Sequence, residues 1–137
     1  MKTHKGLEYA IHPHLGSLCG YVKLPDDHPF CKSFKKENVF GRNLELGYDD
    51  MNIDCHGGLT FSRIVSEEDS GEYPQGFTPG YWIGWDYIHV GDSYDCGMGR
   101  MFKEDKIWSF AEVERECKNV IEQVLDKNKT PVLARNK

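Results

Sequence analysis

The sequence predicts an α+β fold, an antiparallel sheet of about four to six strands with one long C-terminal helix packed across it. Three observations carry this. Short apolar, β-branched and aromatic runs bounded by Gly, Pro and Asp recur from Leu18 to Val90. A single segment near the end repeats its apolar residues at helical spacing. The strands precede the helix instead of alternating with it, which argues against a parallel α/β sheet. A length of 137 residues fits one domain over 1–137, with 1–14 expected to be a loosely ordered N-terminus and 128–137 a tail.

Element by element, His4, His12 and His14 surround a small apolar patch of Leu7, Tyr9 and Ile11 near the start. Their spacing is too loose for a metal motif, so they read as side chains facing solvent. Leu18 to Leu24 reads as the first strand, closed by a turn at Pro25-Asp26-Asp27. Residues 26–50 are charged and punctuated by Gly41 and Gly47, as expected of a long excursion with one short helix. Ile53–Cys55 and Leu59–Val65 read as two strands, or as one strand kinked at Gly57-Gly58. Residues 66–80 hold four acids, three glycines and two prolines and form an exposed loop. Tyr81–Val90 is the strongest strand signal, predicted to lie centrally and to be covered on both faces. A second glycine-rich loop, 91–106, precedes the helix. There Ser109 and Glu112 form a capping box. Val113, Cys117, Val120, Ile121, Val124 and Leu125 make the inward stripe, with Glu112, Glu114, Arg115, Glu116, Lys118 and Glu122 outside, and Asn128 and Pro131 end the helix.

Composition excludes several classes of function. A net charge of −5 is wrong for sequence-independent binding to a nucleic-acid backbone, which needs clustered Lys and Arg. The longest basic run, Lys35-Lys36 near Lys32, is broken by Glu37 and reads as a solvated loop. Cysteines number five, with no Cys-x-x-Cys pair and no signal peptide read before them, so reduced thiols in a cytoplasm are expected in place of a zinc ribbon or disulfide framework. No apolar run approaches the roughly 20 residues that span a bilayer.

Two segments concentrate chemistry: Asp54-Cys55-His56-Gly57-Gly58-Leu59-Thr60-Phe61-Ser62 and Tyr81 through Ser93. If both are strands, side chains alternate between faces. Asp54 and His56 then share one face; Trp82, Gly84 and Asp86 share a face of the second strand; and Trp85, Tyr87 and His89 point the other way. Alternation separates Asp86 from His89 and counts against an Asp-x-x-His metal pair. It allows Asp54, His56 and Asp86 to converge across neighbouring strands, with Gly84 leaving room and Asp92 turning back at the strand end. Cys55 beside His56 is not a nucleophilic pair, because adjacent strand residues point apart; Cys55 and Cys117 read as core.

Three readings follow. In the first, Asp86 and His56 are buried polar groups satisfied by hydrogen bonds, and the tryptophans fill core. In the second, the segments bind a nucleotide-like ligand: indoles stack on a base, N–H groups at Gly57, Gly58 or Gly91 take phosphate oxygens, and Arg63, Arg100 or Lys103 add charge-assisted bonds. In the third, His56, Asp54, Asp86, His89 and Asp92 serve a metal-assisted hydrolase, with His56 and Asp86 the catalytic candidates. A divalent metal enters only under this third reading; otherwise no cofactor is expected.

The chain also resembles a widespread family of small phage and prophage proteins of unassigned function. The likeness lies in His56-Gly57-Gly58-Leu59-Thr60-Phe61-Ser62, in Trp82-Ile83-Gly84-Trp85-Asp86 followed by His89, Gly91 and Asp92, in Gly20-Tyr21-Val22 leading to Pro25 and His28-Pro29, and in the helix that opens with Val113-Glu114. It covers about residues 18 to 125. Trp85 stands where the family favours Phe, and Tyr87-Ile88 where smaller residues are usual. The resemblance implies a phage-encoded accessory protein in an infected or lysogenic bacterial cytoplasm, acting against host defence by binding or sequestering a small phosphate-bearing ligand or a host defence protein. It favours a binder over a hydrolase, and the aromatic strand is compatible with a homo-oligomer. The expected ligand-binding residues are Asp54, His56, Gly57, Gly58, Thr60, Trp82, Gly84, Asp86, His89, Asp92 and Arg100.

Overall fold

The computed structural model describes residues 2–33, 38–39, 42–43, 52–97, 99–100 and 102–126. The expected fold class is present: five antiparallel strands and one C-terminal helix laid on the sheet. The strands are β1 (Lys2–His4), β2 (Leu7–His14), β3 (Ser17–Leu24), β6 (Phe61–Val65) and β7 (Gly80–Asp86), in the spatial order β1-β2-β3-β7-β6. A separate two-stranded pair, β4 (Asn38–Val39) and β5 (Arg42–Asn43), follows a 3-10 turn at Pro29–Ser33. That turn is the one short helix expected in 26–50; the basic run Lys35-Lys36, Gly41 and Gly47 lie outside the described residues, as do Asn128, Pro131 and the tail 128–137.

The N-terminus departs from expectation. The segment read as loose forms β1 and β2, joined by a tight turn in which Lys5 and Gly6 both have positive φ. A second such turn at Leu15-Gly16 carries β2 into β3. Alternation in this stretch was obscured by its histidines and by Pro13, which sits on the pairing register of β2 near the strand's end. Tyr9 and Ala10 are nonetheless buried on opposite faces.

Strand β7 lies between β3 and β6 and is covered on both faces, as its composition predicts. On the helix side Ile83 and Trp85 join Val22 and Leu24 beneath Val113, Cys117, Val120, Ile121 and Val124. On the other side Trp82, Tyr21, Cys19 and Val65 pack under Phe77, which the 66–79 loop folds back over the sheet. Two cross-strand pairs set β7 against β3, Gly20 opposite Trp85 and Tyr21 opposite Gly84. Each aromatic ring lies over the glycine it faces. A Cβ on Gly20 would sit 2.6 Å from the Trp85 ring, and one on Gly84 would sit 2.5 Å from that of Tyr21. Gly84 therefore makes room for Tyr21 and not for a ligand, a correction to the sequence reading.

The helix α1 (Phe110–Leu125) begins with the expected capping box: Ser109 Oγ accepts from the Glu112 N–H, and the Glu112 carboxylate accepts from the Ser109 N–H at 3.0 Å. Its buried residues are those of the predicted stripe except Leu125, which is exposed. The helix ends at Leu125, with Asp126 as its C-cap.

Candidate functional site

Both motif segments leave regular structure where strands were expected. Ile53–Cys55 is not a strand; its backbone docks on α1. Gln123 holds Asp54 at both peptide groups, accepting from its N–H at 2.7 Å and donating to its carbonyl at 2.6 Å. Glu116 accepts the His56 N–H at 3.0 Å. The chain then turns sharply, the Gly58 N–H donating to the Cys55 carbonyl. Gly57 takes φ +70° in this turn, a left-handed conformation that glycine adopts without cost. A Cβ there would also fall inside the His89 imidazole. Gly57 thus sets how closely the two segments approach.

Strand β7 likewise ends at Asp86, four residues short of the predicted Val90. Released from the pleat, His89 swings back toward Asp86, its Nε2 3.5 Å from Asp86 Oδ1. The alternation that seemed to separate these residues does not apply. A turn from His89 to Asp92 follows, closed by the Asp92 N–H on the His89 carbonyl at 2.9 Å. Gly91, third in this turn, has φ +94°. Asp92 then bridges to Lys106, the Ser93 N–H donating to the Lys106 carbonyl and the Lys106 N–H to that of Gly91, which draws Trp108 over the same spot.

These two turns bring His56, His89 and Asp92 together, one ligand atom from each lying within 4.8 Å of the others. Asp92 is the centre. Its side chain is 4% exposed, against 28% for His56 and 35% for His89. His56 Nε2 lies 3.0 Å from Oδ1 and 2.8 Å from Oδ2; His89 Nδ1 lies 3.3 Å from Oδ2. The Trp108 indole donates to Oδ1 at 2.8 Å and the His89 N–H to Oδ2 at 3.0 Å. Burial alone would raise the carboxyl pKa, but these donors outweigh it and hold the group below the usual carboxylate range. Asp92 is a buried anion with its charge intact. Asp86 stands behind His89, itself fixed by the Thr60 hydroxyl at 2.9 Å and the Ile88 N–H at 3.1 Å.

A cleft of about 440 Å³ opens beside His56, lined also by Tyr87, Trp108, Glu112, Arg115, Glu116 and Asn119. The helix contributes residues 112, 115, 116 and 119, one polar stripe at spacings of three and four. Periodicity puts Glu112, Arg115 and Glu116 on the outer face of the helix but singles out neither Asn119 nor a cleft. A smaller space of about 140 Å³ lies on the far side, lined by His89, Val90, Tyr94, Phe102 and neighbours.

Several expected ligand residues have other tasks. Trp82 is fully buried, stacked on Phe77 with its indole N–H on the Thr78 carbonyl. Trp85 is sealed under the helix. Trp108, passed over in the sequence, stacks on Tyr87 at 14° and carries the Lys106 ammonium 4.1 Å from its ring centroid. Trp82 and Trp85 therefore offer no open face to a base. Arg100 is a strut, donating to Ser93 at 2.7 Å and to the Gly16 carbonyl at 2.6 Å. Arg63 donates to the Tyr73 hydroxyl. The Gly58 N–H is used in its own turn, and Asp54 is exposed and outside the His56–His89–Asp92 group. Cys55 is only partly buried and its thiol is pushed up to about 12, chiefly by desolvation, with Glu116, Asp54 and Asp86 adding to it. It is no nucleophile at neutral pH.

The donor set fits a divalent ion. Bonds of about 2.0–2.2 Å from a tetrahedral metal place ligand atoms roughly 3.3 Å apart; the His89 Nδ1–Asp92 Oδ2 separation of 3.3 Å matches that value, and the His56 Nε2–Asp92 Oδ2 separation of 2.8 Å is shorter than it. Two imidazoles and one carboxylate suit zinc and its neighbours. A carboxylate behind a ligating imidazole, as Asp86 stands behind His89, is the usual supporting arrangement. No helix among the described residues is long and apolar enough to cross a membrane. No family model, curated protein or solved structure matches the chain.

Proposed function

We propose that this protein is a metal-assisted hydrolase, with His56, His89 and Asp92 holding a divalent ion of the zinc class beside the cleft under α1. The observation that carries this reading is the convergence of the three side chains about a desolvated carboxylate. A bound ion of this kind lowers the pKa of its water to about 7 and polarises the bond under attack. The chain's own residues do the rest. Trp108 and the His89 N–H keep Asp92 ionised. Thr60 and Asp86 orient the His89 ring so that Nδ1 faces Asp92. Glu116, which fixes the backbone of His56 and has no lysine partner among the described residues, would handle a proton.

Metal analysis of purified protein, followed by chelation and titration with Zn2+, Mn2+ and Fe2+, tests the centre directly. One ion per chain and a higher Tm on metal addition are expected, both abolished in His56→Ala and Asp92→Asn. Hydrolysis of bis(p-nitrophenyl) phosphate and p-nitrophenyl acetate, followed with and without metal, tests turnover. A chain that takes up no metal at micromolar concentration removes the proposal. Metal binding without turnover of any phosphoester or carboxyester would instead favour a protein that sequesters its ligand, the role implied by the phage resemblance.

A further inference from the structure

We infer that the cleft takes a small molecule bearing a terminal oxyanion, a carboxylate or a phosphate, anchored by Arg115 with Asn119 on the helix wall opposite His56. The inference assigns a substrate class to the centre proposed above and rests on that reading for where the reacting bond would lie.

Helix α1 presents two carboxylates and one guanidinium to the cleft, from Glu112, Glu116 and Arg115. Both carboxylates are engaged. Glu112 accepts from Ser109 and from Lys106 Nζ at 2.6 Å. Glu116 accepts the His56 N–H and faces Asn119 Nδ2 at 3.5 Å. Arg115 has no ion pair or hydrogen bond among the described residues, although acids flank it at 112, 114 and 116. Glu114 is taken up by Lys2 at 3.0 Å and by Tyr9 at 2.9 Å. Two other guanidiniums have structural roles: Arg100 braces Gly16 and Ser93, and Arg63 meets Tyr73.

The remaining walls point the same way. A guanidinium presents a planar fork that matches a carboxylate or phosphate edge. Asn119, one turn along the helix, adds an amide donor beside it. Lys106, held over Trp108, balances the Glu112 carboxylate and so leaves the Arg115 charge less opposed. The volume of about 440 Å³ suits a small ligand. Trp108 stacks on Tyr87 and carries the Lys106 ammonium over its ring.

The test separates this inference from the metal centre. Protein stripped with chelator at low ionic strength is titrated with inorganic phosphate and, separately, with glutarate, following the Trp108 indole N–H signal by NMR. Saturable shifts with one or both anions are expected; a response to phosphate alone or to glutarate alone fixes the headgroup. Arg115→Gln should weaken binding about tenfold, Asn119→Ala less, and Arg115→Lys should restore part of the loss. Lys118→Gln, which removes a cation of the same helix that does not line the cleft, should leave anion affinity of the stripped protein within about twofold. Equal binding by wild type and Arg115→Gln, or no saturable shift with either anion, overturns the inference. Arg115-dependent anion binding in a protein that never takes metal would retire the hydrolase and leave the anion site standing.

Discussion

The two halves of the segment from Gly80 to Asp92 obey different rules. From Gly80 to Asp86 the chain is a regular strand between two partners, and its side chains fill close-packed cores on both faces. From Tyr87 to Asp92 it leaves the sheet, and polar side chains that a pleat would send to opposite faces gather at one point. The first half is governed by burial and cross-strand fit. The second is governed by turns that hydrogen bonds and glycine make possible. Backbone regularity places tryptophans well and a His–His–Asp centre badly, because a period of two cannot bring residues three apart onto one side.

Substitutions should separate the halves. The largest effect is expected from Trp85→Ala, which empties a sealed position under the helix and should cost about 3–5 kcal/mol in urea unfolding. Metal affinity per folded molecule should change little. His89→Ala should do the reverse, with metal affinity falling at least about a hundredfold, since supporting residues alone are worth about 10–100-fold. Asp86→Asn is expected within that 10–100-fold range. If Trp85→Ala proved as damaging to metal binding as His89→Ala, the division would fail. Gly57→Ala touches both properties: the left-handed backbone costs about 1–2 kcal/mol with a side chain, and the new methyl displaces His89. Calorimetry should show a lower Tm together with weaker metal binding.

Two smaller effects sharpen the contrast between core and surface. Lys106, first, and Ser109 hold the Glu112 carboxyl down at about 2, against 4.5 for the ordinary group. A depressed folded-state pKa gives stability present above the unfolded value and lost as pH falls through the folded one. The helix cap should therefore weaken between about pH 4.5 and 2, and Glu112→Gln should flatten that part of the stability profile. The thiols offer the mildest probe. Cys96 is exposed, whereas burial drives Cys117, like Cys55, up to about 12. Mass spectrometry after brief iodoacetamide treatment of native protein at pH 8 should find the label on Cys96 first, with Cys55 and Cys117 labelled only on unfolding.

The sequence by itself determined the fold class, the central aromatic strand, the capped helix and its buried stripe, because each is a local pattern matched to a local period. Ser109 and Glu112 are three apart, and Val113, Cys117, Val120 and Val124 repeat at three and four. It also contained the site's residues: His56, His89, Asp92 and Asp86 all stand in the two segments whose chemistry is densest. Which of them meet was a tertiary decision. The turn at Cys55–Gly58, the exit of the chain at Asp86 and the bridge from Asp92 to Lys106 depend on partners as distant as Glu116 and Gln123, and no spacing encodes those. Tertiary structure alone also turned residues 112, 115, 116 and 119 from the outer side of a helix into the wall of a cleft, since a polar stripe looks the same in sequence whether it faces water or a ligand.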